Sequence, residues 1–294
     1  MTTTKPDLSV LQRPSGGFAM LAVDQREALR VMMSDARGGA VVTDDQVIDF
    51  KLDAARTLTP YASAVLIDRQ FAFDQAVEAG VVAEGCGLIS SGDHFIPAHG
   101  ELVGEVEIDR QVDPAHVKAS GAVAMKLLVL HRIDQPAGPR IAMVREFVEI
   151  CDAHGLISII EPVCRKPLDA SLDWDREQAI VDAARELGDL GADLYKGEMP
   201  LYGRGPEAEM RRRCAEINEA VASPWVILSS GVAEADFPTA VAVACSEGAS
   251  GFLAGRAVWA SCLAADDVSA CLAGAAVDRL KKFGALVDEA MSKR

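Results

Sequence analysis

Four ionisable residues stand inside or at the ends of apolar runs: Asp24 after residues 18–23, Lys126 within 124–130, Glu161 closing 156–161, and Lys196 in 193–200. A lysine in a strand that should be buried is unfavourable if it stays charged. An amine nucleophile has a reason to be there. A head group reaching solvent at a strand end is the plain alternative. A lysine amine attacks only when neutral, and its reference pKa is about 10.4. An apolar surround and a second ammonium both favour the neutral amine, and Lys126 is the expected neighbour of Lys196. Glu161 and Asp24 are then the groups to move protons while a carbinolamine loses water and a carbon–carbon bond breaks. The iminium formed would be the electron sink.

The elements that must position these residues alternate regularly. Near-continuous apolar runs at 18–23, 62–67, 87–93, 124–130, 156–162, 193–200, 225–228 and 251–254 read as eight strands. Helical patterns follow them, at 44–58, 139–154, 175–190, 206–221, 236–247 and 266–294 among others. Unalternating strands are the mark of a parallel sheet covered on both sides. The chain is therefore expected to be an α/β protein of the (β/α)₈ TIM-barrel type, one domain over residues 1–294 with a short polar tail over about 1–14. A doubly wound open sheet is the second choice, weakened by the lack of a G-x-G-x-x-G turn after the first strand. The stretch 95–111 reads as mostly irregular, with a short extended piece at 106–108.

A barrel collects its chemistry at the C-terminal ends of its strands. Beyond the four residues above, Gln25 and Arg26 follow the first strand, Ser230 and Gly231 the seventh, and Gly255 and Arg256 the eighth. Glycines after the last two strands allow backbone N–H groups to approach an oxyanion, and an arginine beside them makes a paired contact. Gly231, Gly255 and Arg256 are therefore candidate anion contacts, and Gln25, Arg26 and Ser230 are further polar groups at the same end of the barrel. The five histidines are dispersed and the seven cysteines show no zinc spacing, so no metal or other cofactor is expected. His94 and His99 read as loop or surface residues. The net charge of −15 argues against nucleic acid or an anionic membrane as partner. No apolar run reaches membrane-spanning length. The N-terminus lacks a signal-peptide core, and an odd, unpatterned set of cysteines fits reduced thiols in a cytoplasm.

The stretches 16–27, 126–130, 159–163, 193–203, 225–231 and 248–259 resemble the bacterial sulfofructosephosphate aldolases, class I aldolases related to the tagatose-bisphosphate aldolases. The resemblance runs from about Ser15 to the C-terminal helix. It implies reversible cleavage of 6-deoxy-6-sulfofructose 1-phosphate to dihydroxyacetone phosphate and 3-sulfolactaldehyde, without cofactor, in a homo-oligomer. It places the Schiff-base lysine at Lys196, assisting groups at Asp24, Lys126 and Glu161, and anion contacts at Gln25, Arg26, Ser230, Gly231, Gly255 and Arg256. Gly197 departs from the pattern, which has a small branched residue such as valine there. Three other readings remain: the same chemistry on tagatose 1,6-bisphosphate, a metal-dependent barrel aldolase or isomerase, and a non-catalytic sugar-phosphate-binding protein.

Overall fold

The computed structural model describes residues 6–294. Its elements run in chain order as β1 (Phe18–Ala22), α1 (Glu27–Ala36), α2 (Asp44–Leu58), β2 (Ala64–Ile67), α3 (Phe73–Glu78), β3 (Gly87–Ser91), β4 (Asp93–Ala98), β5 (Glu101–Ile108), α4 (Pro114–Ala119), β6 (Ala124–His131), α5 (Ala137–His154), β7 (Ile157–Cys164), α6 (Arg176–Leu187), β8 (Leu194–Glu198), α7 (Glu207–Ala220), β9 (Trp225–Leu228), α8 (Phe237–Ser246), β10 (Gly251–Ala254), α9 (Arg256–Trp259), α10 (Val268–Cys271) and α11 (Val277–Met291). Eight parallel strands close into a barrel in the order β1-β10-β9-β8-β7-β6-β3-β2.

Local chemistry sets the helix boundaries. Thr43 and Gln46 form a capping box that starts α2. Asp113 accepts from the Ala115 N–H and Pro114 occupies the first turn of α4. Gly155 ends α5 in the left-handed region, at φ 62°.

Side chains that point into the barrel alternate along each strand with those that meet the helices. The interior is apolar at its floor, with Ala124, Ile157, Ile159 and Leu194 among its members. Two residues further along the same strands, the inward positions become Lys126, Glu161 and Lys196, all buried. Period-two alternation thus stacks a charged layer on an apolar one. Lys126 is level in register with Ile159, and Ile159 with Leu194. A barrel of shear 8 gains about one residue of height per strand, which brings Lys126 level with Lys196 two strands on.

Three regions differ from the sequence reading. The stretch expected to be irregular is an antiparallel hairpin, β4 paired with β5. Its turn is His99-Gly100, with φ 55° and 74°, the signs a tight two-residue hairpin loop requires. Within the expected polar tail, residues 8–11 form a single 3₁₀ turn. Leu11 is fully buried there and packs with the barrel interior, where full burial of a leucine contributes about 1.5–3 kcal/mol. Residues 1–5 lie outside the described residues. Among the cysteines, Cys262 and Cys271 are joined, their Cα atoms 5.4 Å apart, whereas Cys86, Cys151, Cys164, Cys214 and Cys245 are free thiols. Among the described residues, no helix is long and apolar enough to cross a membrane.

Candidate active site

The charged layer is organised by Lys126. Its ammonium, wholly inaccessible to solvent, lies 2.8 Å from Asp24 Oδ2, 2.8 Å from Asp93 Oδ2 and 3.1 Å from Glu161 Oε2. Burial pushes this amine towards the neutral form, but Asp24, Asp93 and Glu161 outweigh burial and hold its pKa well above the usual lysine value. Lys126 is a fixed cation. Lys196 Nζ lies 3.0 Å from the same Glu161 oxygen. That oxygen stands between two amines, yet neither contact has the alignment of a hydrogen bond. Glu161 is held by charge and not by direction.

Asp24 is different. Burial pushes it up, but the Lys126 and Lys196 charges prevail and its carboxyl titrates far below the usual range. A carboxylate held so firmly ionised suits orienting and charge-holding. Because the folded-state pKa lies below the unfolded value of about 3.9, ionised Asp24 contributes stability that is present above about pH 4 and is lost as the pH falls through the folded-state value. The difference in melting temperature between wild type and Asp24→Asn should therefore be largest near neutrality and narrow steadily below pH 4. A gap that stays constant into acid would refute this coupling.

Asp93 was not among the sequence candidates. Fully buried, it accepts from Lys126 and from the Leu128 N–H with Oδ2 and from Arg26 with Oδ1. The rule that singled out Asp24, a polar residue where an apolar strand ends, applies equally to Asp93 after the third strand. Arg26 is engaged accordingly. Its guanidinium donates to Asp93 and to Ser91 Oγ and stacks over the Phe95 ring at 4.1 Å. The expected anion contact is thus tied into the carboxylate network.

Above the layer opens a cavity of about 470 Å³. Asp24, Gln25, Arg26, Glu161, Ser230 and Arg256 line it, and so do Arg69, Arg165, His94 and Phe95. Lys196 is not part of the wall and is only 3% exposed; Glu161 is the group through which it meets the cavity. Arg256 donates to Ser230 Oγ at 2.7 Å, and among the described residues no carboxylate pairs with it. Burial pushes this guanidinium down against the pull of Glu161 and Asp24. A half-buried arginine without a carboxylate partner is a site for an oxyanion. Gln25 adds an unpartnered carbonyl oxygen. Gly255 is needed for close approach, since a Cβ there would lie 2.3 Å from the Ala22 carbonyl oxygen. Gly231 turns at φ 75°. Arg165 and Arg69 carry partners of their own, Glu101 at 3.2 Å and Asp109 at 3.0 Å. Through Glu101, which also pairs with Arg132 at 2.6 Å, the β4–β5 hairpin is pinned over the mouth. His94 lies on that hairpin and faces the cavity, so it is exposed but not remote from the site. Gly197 packs beside the Tyr195 ring, 3.1 Å from where a Cβ would stand. Among the described residues no three His, Cys, Asp or Glu side chains are grouped to hold a metal ion.

Residues 18–261, from β1 to just beyond α9, match the model of the DeoC/LacD family aldolases. The chain belongs to the DeoC/LacD aldolase family. Similar proteins include a tagatose 1,6-diphosphate aldolase of Listeria monocytogenes, 31% identical over 286 residues, covering 87% of this chain and 82% of the relative. A tagatose 1,6-diphosphate aldolase of Streptococcus mutans is 26% identical, over 88% of this chain and 87% of the relative. Among solved structures, a Plasmodium falciparum fructose-bisphosphate aldolase superposes with TM-score 0.67 at 13% identity, covering 97% of this chain and 96% of that one. A Schiff-base-forming fructose-1,6-bisphosphate aldolase superposes with TM-score 0.62 at 16% identity, covering 95% and 97%. These two likenesses concern the barrel. Family membership marks the protein as an aldolase, a lyase of carbon–carbon bonds.

Proposed function

We propose that this DeoC/LacD aldolase works through a Schiff base on Lys196 and cleaves 6-deoxy-6-sulfofructose 1-phosphate to dihydroxyacetone phosphate and 3-sulfolactaldehyde. The observation that carries the mechanism is Glu161 Oε2, 3.0 Å from Lys196 Nζ and part of the cavity wall. Beneath it Lys126 is a permanent cation. A ketose carbonyl entering the cavity displaces the Glu161 carboxylate from Lys196. Glu161 takes a proton from the Lys196 ammonium as it leaves, the freed amine adds to C2, and the carbinolamine loses its hydroxyl as water, with Glu161 returning that proton. Glu161 then takes the proton from the C4 hydroxyl, the C3–C4 bond breaks, and its electrons move into the iminium to give an enamine. The aldehyde leaves. Glu161 passes that proton to C3 of the enamine, and water releases dihydroxyacetone phosphate and restores Lys196. Asp24 and Lys126 keep the charge pattern around these steps fixed, which is the preorganisation that favours a developing charge. Arg256 with Ser230 supplies an oxyanion contact, and Arg165 offers a second cation on the same wall. The sulfonate at C6 rests on the resemblance of the strand-end motifs.

The names of the relatives favour a second reading, the same chemistry on tagatose 1,6-bisphosphate. Borohydride reduction in the presence of dihydroxyacetone phosphate, followed by peptide mass spectrometry, tests the mechanism. A reduced adduct on Lys196 is expected. An adduct elsewhere, or none, overturns it. Comparing kcat/KM for the sulfonate and the bisphosphate then separates the two substrates.

A further inference from the structure

The turn that follows β8, residues 200–203, carries two consecutive non-glycine residues in the left-handed region, Leu201 at φ 52°, ψ 21° and Tyr202 at φ 50°, ψ 28°. Side chains other than glycine adopt this conformation rarely, and it persists where the surroundings enforce it. The surroundings are specific. The Leu201 N–H donates to Glu177 Oε2 at 2.6 Å. The Arg176 guanidinium stacks on the Tyr202 ring, 3.7 Å from its centroid. Arg176 is itself held by Glu198 at 3.0 Å, two residues beyond Lys196, and Glu198 accepts from the Cys164 N–H at 2.7 Å. The other edge of the Tyr202 ring presses on Gly231, where an added Cβ would lie 2.4 Å from Cε1. Gly231 adjoins Ser230, whose hydroxyl holds Arg256. An unbroken line of contacts therefore joins the ends of β7 and β8 to the arginine that lacks a carboxylate.

We propose that Tyr202 is a positioning residue of the oxyanion subsite. Its ring, clamped by Arg176 in a strained turn, fixes Gly231 and so the Ser230 hydroxyl that aims Arg256. The proposal rests on the reading that Arg256 and Ser230 take an oxyanion of the substrate. The turn is strained because the ring must reach across to the loop after β9. A tyrosine serving only stability would not need a backbone that glycine adopts more readily.

Tyr202→Gly separates the two roles, since glycine relieves the backbone while the ring is lost. Inorganic sulfate binding, read by calorimetry, reports the subsite without turnover. Sulfate affinity is expected to fall about tenfold, the scale of one misdirected charge-assisted contact. KM should rise by a similar factor with kcat changed less than about threefold, and the melting temperature should not fall. Tyr202→Phe should bind sulfate as wild type does. In an Arg256→Ala background Tyr202→Gly should add no further loss. Sulfate affinity within twofold of wild type in folded Tyr202→Gly would overturn the proposal. So would an undiminished effect without Arg256, or loss in Tyr202→Phe. If Tyr202→Gly does not fold, Arg176→Lys, which keeps the charge on Glu198 but not the flat stack, must weaken sulfate binding or the proposal fails. Failure to trap dihydroxyacetone phosphate on Lys196 in wild type would sink the Schiff-base reading and leave the sulfate result standing by itself.

Discussion

Replacing Lys196 by alanine is expected to reduce turnover by on the order of 10⁴-fold or more, the scale seen when a covalent nucleophile is removed, while the barrel stays folded. The structure gives the reason for the second half. Among the described residues Lys196 has one ionic partner, Glu161, and that carboxylate retains Lys126 at 3.1 Å when Lys196 is gone. No buried charge is orphaned. Lys126→Ala is the contrasting variant. It strips the common cation from Asp24, Asp93 and Glu161, and breaking such buried pairs destabilises by about 3–5 kcal/mol. The two lysines should therefore separate in one pair of assays, one variant stable and inactive, the other unstable. A Lys196→Ala enzyme with more than a few per cent of wild-type turnover would remove Lys196 from the chemistry.

Asp93→Ala is the second large effect. This carboxylate has no solvent exposure, and its two oxygens serve Lys126, Arg26 and a backbone N–H. Its loss leaves Lys126 with Asp24 and Glu161, but among the described residues leaves Arg26 with only Ser91 Oγ and the residue-93 carbonyl as acceptors. An under-compensated guanidinium buried beneath the Phe95 ring should again destabilise by about 3–5 kcal/mol, roughly 5–8 °C in melting temperature for a chain of this size. Arg26 would be drawn towards the carboxylates of the cavity, so kcat should fall as well. Asp93→Asn keeps an acceptor of the same shape and should lose less on both counts. A melting temperature for Asp93→Ala within about 2 °C of wild type would show that the Arg26–Asp93 pair does not organise the layer.

Much of this was legible in the residue order. Parallel strands buried on both faces must be apolar throughout, so eight such runs separated by helical patterns announce the barrel. A polar residue at a C-terminal strand end is then a site candidate by position. Asp24, Lys126, Glu161 and Lys196 emerge that way, and the structure brings all four within one connected set of contacts. The hairpin over the mouth was less legible. Its alternation is weak, Pro97 interrupts it, and a His99-Gly100 turn is an unusual form of the hairpin signal.

Other features have no linear trace. Asp93 lies 67 residues from Arg26 and 33 from Lys126 along the chain, and its role exists only because β3 pairs with β6 across the hairpin. The division of the arginines follows the same logic. Arg26 and Arg256 are each a lone basic residue after a strand, equivalent by type and position. The fold gives one a buried carboxylate and the other a serine hydroxyl. Charge state is likewise a property of the assembly, because Coulomb energy in a buried layer depends on distances that the chain order does not contain. By itself the sequence determined the barrel and the residue types available at its mouth. The tertiary structure alone decided which of those groups neutralise each other and which are left to meet a substrate.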